Sequence, residues 1–488
     1  MKPDTHTGNR GLDLEEPLLF EIGRDGRTGV DLPEPPKVAS RLGGLERNDR
    51  IGLPGVSEPE VVRHFVRISR NNYSIDANLY PLGSCTMKHN PRLNEKMARL
   101  PGFGDVHPLQ PESTVQGALE LIHTLGTWLK KITGLPAIAM PPAAGAHGEL
   151  CGMMAIRAAH DAKGDKNRHR VLIPESAHGT NPATAAQCGF VVDPVPGNER
   201  GRIDIAAVKA KLGPDVAGIM LTNPNTLGLF ENDVIEVANA IHSVGGYFYA
   251  DGANFNAIVG KARPGDMGVD AIHINLHKTF STPHGGGGPG SGPVAFSAAL
   301  APYAPLPMVV ENQGRFHLVE HRGNKGEPGE QSFGRLRTFN GQMGMFVRAL
   351  SYMMSHGSDG LRQVAEDAVL AANYIMASLS NDMTSPFDGP CMHEALFDDR
   401  FLEGTGITTL DFAKAMIDEG YHPMTVYFPL VVHGAMLTEP TETESKQSID
   451  RFIGVLRHLA RKAKAGDAEF FKNSPKYSPR SEEHTSEL

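Results

Sequence analysis

The feature that most constrains the fold of this chain is an alternation of strand-length apolar runs with amphipathic helical segments, which begins near residue 110. The apolar runs are RVLIP, AGIMLT, GYFYAD and DAIHIN, at residues 170–174, 217–222, 246–251 and 270–275. Helical patterns lie between them, such as DIAAVKAKL, for which Asp204 is the expected N-cap. Strands that alternate with helices predict an α/β fold with a mostly parallel sheet covered on both faces. Ligands of such sheets bind at the carboxyl ends of the strands.

Different patterns flank this region. Residues 1–105 are rich in Pro, Gly and short charged pieces, with one amphipathic stretch at Glu58–Asn71, and we expect an N-terminal arm that wraps another surface. Residues 106–335 form the predicted large domain, and residues 336–479 a smaller α+β domain that begins with a long helical pattern. Residues 480–488 read RSEEHTSEL, the in-frame translation of a common sequencing adapter, and we expect an assembly artefact there instead of a natural polar tail.

Composition and charge exclude several classes of function. The formal net charge of -9 is spread without long acidic or basic runs, so neither nucleic acid nor a membrane surface is an expected partner. No stretch approaches the roughly 18 consecutive apolar residues of a membrane span, and the N-terminus lacks the apolar core of a signal peptide. The four cysteines are too far apart for a zinc site or a disulfide framework. We therefore expect a cytoplasmic protein without a metal.

Three features occur in an order that favours one cofactor. Asp251 ends an apolar run, Lys278 follows another, and PAAGAHGE at 142–149 is a Gly/Ala turn that opens a helix. Pyridoxal phosphate needs a lysine for a Schiff base and a carboxylate for its pyridine nitrogen. Its phosphate needs backbone N–H groups at a helix N-terminus. Each feature alone is typical of a solvated charge, a cap or a turn, but together they favour a pyridoxal-phosphate enzyme.

Several longer motifs resemble one family. They are PLGSCTMKHNP (81–91), ESAHGTNPA (175–183), DGANFNA (251–257) and RPGDMGVDAIHINLHKTF (263–280). These motifs are similar to those of the glycine decarboxylase P-protein of the glycine cleavage system, and the likeness runs from about residue 15 to about residue 478. The length resembles subunit 2 of the two-subunit form. Subunit 1 of that family lacks the Schiff-base lysine, so Lys278 indicates subunit 2.

The resemblance implies roles for individual residues in a pyridoxal-phosphate-dependent transferase-like fold of type I. Lys278 would form the Schiff base, and Asp251 would pair with the pyridine N–H. His178 would stack over the cofactor ring as a second catalytic residue. Thr226 would hydrogen-bond the phenolic oxygen. The phosphate cradle is implied at four residues: Gly145, Ala146, His147 and His277.

Other matching positions carry weaker implications. Ala144 stands where many relatives have a hydroxyl residue, which implies that the phosphate relies more on backbone amides here. Arg263 and Asp266 would orient the lysine loop or form an ordinary surface ion pair. The residues Glu439–Glu442 match a family motif without an assigned role. The substrate entrance is implied at Ser84, Cys85, Thr86 and Lys88, although Cys85 is equally well interpreted as a small buried hydrophobic residue.

The implied activity is glycine catabolism by an oxidoreductase. The enzyme would decarboxylate glycine through a pyridoxal-phosphate aldimine, release CO2 and transfer the aminomethyl group to the lipoyl arm of H-protein. The implied assembly with subunit 1 is an α2β2 heterotetramer. The alternative is another pyridoxal-phosphate decarboxylase or aminotransferase of fold type I. A third interpretation is a non-catalytic scaffold, against which the intact Lys278 and Asp251 argue.

Overall fold

The computed structural model describes residues 16–476, except 31, 35, 71, 286–289 and 339. The chain divides into two compact units, of which one comprises Met1–Ala77 with Pro475–Leu488 and the other Asn78–Ser474. The adapter-like residues 480–488 and the first fifteen residues of the expected arm lie outside the described residues. The domain boundaries expected at residues 105 and 335 stay predictions.

The first unit contains two described helices, α1 (Leu19–Ile22) and α2 (Glu58–Arg70). The second of these confirms the helix expected at Glu58–Asn71. Acidic side chains occupy the first turn of α2 and basic side chains its last turn, the arrangement that the helix dipole favours. Within the same unit, Glu16 Oε1 lies 2.8 Å from His64 Nδ1.

A seven-stranded mixed sheet forms the centre of the second unit. Its strands run in the order β1-β7-β6-β5-β4-β2-β3, and β7 is antiparallel to both of its neighbours while the other pairs are parallel. This confirms the mostly parallel sheet that the sequence predicts. The strands are β1 (Ala137–Ala139), β2 (Arg170–Pro174), β3 (Val191–Val195), β4 (Val216–Thr222), β5 (Tyr247–Asp251), β6 (Ala271–His273) and β7 (Val294–Phe296).

Helices cover both faces of this sheet. Asp204 caps α8 (Ile205–Ala210) as predicted, because its side chain accepts hydrogen bonds from the amides of Ala206 and Ala207. The longest helix consists of two helical segments that meet at Gly357, where φ is 64°. The helices are α3 (Arg92–Ala98), α4 (Pro101–Gly104), α5 (Gln116–Thr133), α6 (Gly145–Ala162), α7 (Thr180–Gln187), α8 (Ile205–Ala210), α9 (Val234–Ser243), α10 (Leu276–Thr279) and α11 (Met343–Leu379).

The core follows from the apolar character of the central strands. All seven residues of β4 are buried, as expected for a strand covered on both faces. Ile219 and Leu221 pack in the cluster that includes α5, α9 and α11, whereas Met220 packs in a second cluster with α6. The alternation of side chains along β4 therefore joins the sheet to both helical layers.

Among its described residues, the C-terminal part of this unit has two smaller sheets and three more helices. A two-stranded sheet, β8 (Met308–Asn312) and β9 (Arg315–Val319), precedes an antiparallel sheet in the order β10-β12-β11. Phe412, Phe452 and Phe471 are fully buried in the core here. None of the described helices is long and apolar enough to cross a membrane. The remaining elements are β10 (Ala395–Phe397), α12 (Thr409–Asp418), β11 (Thr425–Val426), β12 (Met436–Thr438), α13 (Lys446–Lys464) and α14 (Ala468–Lys472).

Candidate active site

A cavity of about 330 Å³ lies at the carboxyl ends of β4 and β5, within the second unit. Thr222 and Asp251 end these two strands, and α6 and α10 begin nearby. This is the edge of the sheet at which the sequence predicts a ligand. The lining residues are Ser84, Gly145, Ala146, Glu149, His178, Thr180, Thr222, Thr226, Ala253, Asn254, His273, Asn275, His277, Lys278 and Phe428.

The N-terminus of α6 forms one wall of the cavity. Ala144 at the N-cap has no side-chain atom that could bond the first amides of the helix, so these N–H groups depend on another partner. A Cβ at Gly145 would lie 2.7 Å from Asn275 Oδ1, so only glycine allows this close approach. Unbonded amides at the positive end of a helix are suited to a phosphate.

Two histidines adjoin this helix N-terminus. The amide of Ala143 donates to His147 Nδ1 at 3.1 Å, which fixes the turn that precedes α6. The amide of Ser291 donates to His277 Nδ1 at 3.3 Å. Burial lowers the pKa of His277 to about 3, so this imidazole is neutral at physiological pH. The expected cradle residues are thus brought together, although His147 is not among the residues that line the cavity.

Asp251 is fully buried beneath the cavity and stays ionised. Its Oδ1 accepts a hydrogen bond from the Ala253 amide at 2.8 Å, and its Oδ2 lies 2.6 Å from His178 Nε2. His273 Nε2 lies 3.5 Å from Oδ1. Burial opposes ionisation, but the two histidines and the Ala253 amide together hold the pKa of Asp251 below its usual range. The charge of this buried carboxylate suits a cationic N–H group as partner, although Asp251 is not among the lining residues and its Oδ2 faces His178.

Glu149 is a site residue that sequence reasoning missed. It lies one turn after Gly145 on α6, is buried, and places Oε1 3.6 Å from His178 Nε2. With its amide oriented to donate, Asn181 places Nδ2 2.8 Å from Glu149 Oε2 and 3.2 Å from Asp251 Oδ2. Burial and the charge of Asp251 raise the pKa of Glu149 to about 8. The site therefore holds one ionised and one protonated carboxyl group.

Lys278 lies on the short helix α10 and projects into the same cavity. Its Nζ donates a hydrogen bond to the Ser84 carbonyl at 2.6 Å. Of the four expected entrance residues, three belong to the turn beside Lys278, and the fourth, Lys88, lies elsewhere. Ser84 lines the cavity, and the next residues, Cys85 and Thr86, continue the same turn.

Lys88 occupies a different environment from the other entrance residues. It is buried outside the cavity lining, where its Nζ lies 2.6 Å from Glu442 Oε1 and donates to the Thr279 carbonyl at 2.9 Å. Thr226 lines the cavity and donates its hydroxyl to the Ser176 carbonyl. Arg263 and Asp266 form an ion pair in which both side chains are 57% exposed, and an orienting role for that pair stays a prediction.

Comparison with known proteins places this chain in a family. A Caulobacter vibrioides protein named "Probable glycine dehydrogenase (decarboxylating) subunit 2" is 65% identical over 478 residues, covering 98% of this chain and 91% of that protein. A Desulforamulus reducens protein of the same name is 49% identical and covers 96% of each chain. The chain belongs to the glycine dehydrogenase (decarboxylating) subunit 2 family.

Family models and solved structures agree with this membership. The "Glycine dehydrogenase, C-terminal domain" family matches residues 364–479, and the "Aminotransferase class-V" family matches residues 152–287. An inhibitor-bound crystal structure of glycine decarboxylase (P-protein) superposes with a TM-score of 0.68 at 21% identity, covering 94% of this chain and all of that chain. A glutamate decarboxylase from Lactobacillus brevis superposes with a TM-score of 0.64 at 14% identity, covering 89% of this chain and 96% of that chain. These likenesses confirm the predicted type I fold of pyridoxal-phosphate-dependent enzymes.

Proposed function

We propose that this chain binds pyridoxal 5'-phosphate and catalyses the decarboxylation of glycine as subunit 2 of a glycine decarboxylase. The observation that carries the proposal is the meeting of three groups at one cavity. The amine of Lys278 and the open N-terminus of α6 line this cavity, and the ionised carboxylate of Asp251, which is not itself a lining residue, contacts the lining residue His178. The membership of the glycine dehydrogenase (decarboxylating) subunit 2 family supports glycine as the substrate.

The residues present fit the cofactor at each of its ends. The first amides of α6, at Gly145 and Ala146, would hold the phosphate. Asp251 would hold the proton at the pyridine nitrogen, because its carboxylate is buried and ionised. Lys278 would form the covalent bond to the cofactor, and the Thr226 hydroxyl would hydrogen-bond the phenolic oxygen after exchanging its bond to the Ser176 carbonyl. When bound, pyridoxal phosphate supplies an electron sink for the electrons that remain after loss of CO2.

The chain's own side chains would control protons and water around the substrate. His178 lies between Asp251 and Glu149, so its Nε2 is held beside one ionised and one neutral carboxyl group. These contacts raise the pKa of His178 although burial opposes protonation. Burial of the cavity walls would exclude water from the glycine carboxylate, and removal of that hydration favours its loss.

The partners extend the same proposal. The name of the family implies a subunit 1, and we propose an α2β2 heterotetramer with it. The aminomethyl group would pass to the lipoyl arm of H-protein, whose disulfide is reduced as the new carbon–sulfur bond forms. The lipoyl disulfide accepts the two electrons, with one sulfur bonded to the aminomethyl carbon and the other released as a thiol. No nicotinamide cofactor is therefore needed as oxidant. Ser84, Cys85 and Thr86 would lie at the entrance through which the arm reaches Lys278.

The test is exchange of labelled bicarbonate into the carboxyl group of glycine. The chain with subunit 1, pyridoxal phosphate and lipoylated H-protein should catalyse this exchange, and omission of the lipoyl group should abolish it. Lys278→Ala should also abolish it, whereas Lys261→Ala, which removes a half-exposed surface lysine, should not. Cofactor binding without H-protein-dependent exchange would instead favour another decarboxylase or an aminotransferase.

A further inference from the structure

Three buried side chains form a second cluster beside the cavity, and the proposed chemistry does not use them. His393 and Glu394 precede β10, and Glu439 follows β12. Their ligand-type atoms all lie within 4.8 Å of one another, and all three residues are fully buried. The register explains this proximity, because Ala395 of β10 pairs with Thr438 of β12. Glu394 immediately precedes Ala395, and Glu439 immediately follows Thr438. The two glutamates are therefore next to the same pair of the antiparallel ladder.

Both carboxyl groups of this cluster accept hydrogen bonds from one turn. The Ser84 amide donates to Glu394 Oε1, and the Thr86 amide donates to Glu439 Oε2 at 2.8 Å. Ser84 and Thr86 have φ values of 64° and 49°, in the left-handed region that residues with a Cβ seldom adopt. Such a conformation persists only where the surroundings impose it. The two glutamates are the groups that bond these amides.

The neighbouring residue Gly83 ties the turn to the small sheet. Its amide donates to the Leu437 carbonyl at 3.2 Å, and the Thr425 hydroxyl donates to the Gly83 carbonyl at 2.7 Å. A Cβ at Gly83 would lie 2.5 Å from Leu437 Cγ. The turn therefore lies directly against the strand that leads into Glu439.

Ser84 is in contact with both this cluster and Lys278. Its amide donates to Glu394, while its carbonyl accepts the hydrogen bond from Lys278 Nζ at 2.6 Å. A displacement of the Ser84 peptide therefore moves the acceptor that orients the lysine amine.

Burial favours the neutral form of both carboxyl groups in this cluster. Burial and the charge of Glu439 raise the pKa of Glu394 well above its usual range. Burial also raises the pKa of Glu439 to about 7, although the Thr86 amide and the charges of Lys278 and Lys88 oppose that shift. Burial lowers the pKa of His393 to about 3, so its imidazole is neutral. The thiol of Cys85 also faces this pair, and burial raises its pKa.

We propose that Glu394 and Glu439 are positioning residues for Lys278, which clamp the turn Gly83–Thr86 so that the Ser84 carbonyl holds the lysine amine in the cavity. Each side chain is long enough to accept the hydrogen bond of its amide, from Ser84 or Thr86. A neutral acceptor of the same length should therefore hold the turn equally well. A shorter carboxylate leaves the Ser84 or Thr86 amide without its acceptor.

The test compares three substitutions at each glutamate. Gln keeps the length and an acceptor oxygen, Asp keeps the carboxylate but withdraws it by one methylene, and Ala removes the group. Glu231→Gln and Glu231→Asp are the matched controls, because Glu231 is also buried and accepts a backbone hydrogen bond, from Ile203 at 3.0 Å, outside the lining of this cavity. Thermal melts identify any variant that does not fold.

The first readout is alkylation of Cys85 by iodoacetamide in the full chain, followed by peptide mass spectrometry with Cys188 as the internal reference. Cys85 lies between the two clamped amides. The Asp and Ala variants should react roughly tenfold faster or more at Cys85, since a hydrogen bond to a buried group is lost, while the Gln variants should stay near the parent rate. If Ala does not fold, the comparison of Asp with Gln decides alone.

The second readout is glycine–bicarbonate exchange, and this arm rests on the proposed function. Misplacement of the lysine should lower kcat roughly 10- to 100-fold with a smaller change in KM in the Asp variants, and Gln should restore kcat. Absence of exchange in the parent would contradict the proposed function and leave the Cys85 result intact. Two results would overturn the positioning role: Cys85 rates that do not change in any variant, or Asp variants that behave like the parent while Gln variants do not.

Discussion

Two carboxyl groups in contact with the same imidazole have opposite protonation states in this site. Asp251 receives the Ala253 amide and lies beside His178 and His273, which favour its ionised form. Burial and the negative charge of Asp251 raise the pKa of Glu149 and so favour its protonated form. Environments that drive two pKa values apart in this way assign different tasks to chemically similar groups. On this basis Asp251 is the charge partner and Glu149 the neutral hydrogen-bonding group.

Replacement of Asp251 tests the first of these assignments. Asp251→Asn removes the charge beneath the cavity at nearly constant volume, so we expect pyridoxal-phosphate affinity to fall and glycine exchange to drop by roughly 100-fold or more. Spectroscopic titration with the cofactor and the exchange assay measure these effects. Asp193→Asn, a strand carboxylate outside the cavity lining, should bind the cofactor as the parent does. Parent-like affinity in Asp251→Asn would contradict the assignment.

Glu149 should make the stability of the chain depend on pH. Its pKa rises from an ordinary 4.5 to about 8 on folding, so the folded chain retains a proton that the unfolded chain releases. The resulting stabilisation is fully present below about pH 4.5 and is lost as the pH rises toward about 8. Glu149→Gln should therefore reduce the loss of stability between about pH 5 and pH 8 by roughly 3 kcal/mol, since each unit of pKa difference corresponds to about 1.4 kcal/mol.

Urea unfolding at a series of pH values measures the Glu149 effect. Glu236→Gln on the exposed face of α9 is the control and should keep the parent's pH dependence. A Glu149→Gln profile that parallels the parent would show that Glu149 does not hold a proton in the folded chain.

The sequence identifies the residues that chemistry requires but not those that only burial reveals. Lys278, His178 and Gly145 were predicted together, and one cavity contains all three. The assigned roles stay predictions. Glu149 was missed because a glutamate on a helix is ordinarily solvated, and only its spacing from Gly145, one turn along α6, indicated that it faces the site. Glu394 was missed because its partner Ser84 is remote in sequence.

At the scale of secondary-structure elements, the predictions follow the strength of the local pattern. The runs at 170–174, 217–222 and 246–251 are confirmed as β2, β4 and β5 to within one residue at each end. The run at 270–275 is shorter in the structure, since β6 ends at His273 and Asn275 becomes the N-cap of α10, which carries Lys278. The sequence did not predict β1, β3 or β7, of which β7 has only three residues and follows a glycine-rich stretch of sequence.

Close packing of α6 against the sheet edge gives a prediction at this scale. A Cβ at Gly148 would lie 2.7 Å from His273 Cβ and 2.8 Å from the Gly292 carbonyl oxygen. Gly148→Ala should therefore destabilise the chain by about 1–3 kcal/mol, because backbone and core would have to shift. Chemical denaturation measures this change.

Gly454 on α13 provides the matched control for Gly148. A Cβ there would meet nothing within 4 Å, so Gly454→Ala should stabilise the chain by about 0.5–1 kcal/mol through helix propensity alone. Equal effects of the two substitutions would contradict the packing account of Gly148.

For the whole molecule, the site depends on contacts between distant parts of the chain. One cavity is lined by Ser84, by Gly145 at the start of α6 and by Lys278. Asp251, at the end of β5, contacts the lining residue His178, and Glu439, which follows β12, accepts a hydrogen bond from the turn that contains Ser84. Periodicity predicts the sheet and its ligand-binding edge, because these follow from local pattern and chain topology. It does not predict which loops meet there, because that depends on packing over hundreds of residues.

The most direct test of the whole account is borohydride reduction of the chain after incubation with pyridoxal phosphate, followed by peptide mapping. We predict one stable pyridoxyl adduct, on the peptide that contains Lys278, with loss of visible absorbance on reduction and no adduct in Lys278→Ala. An adduct on a different lysine, or none on the folded chain, would contradict the claim that Lys278 binds the cofactor in this cavity.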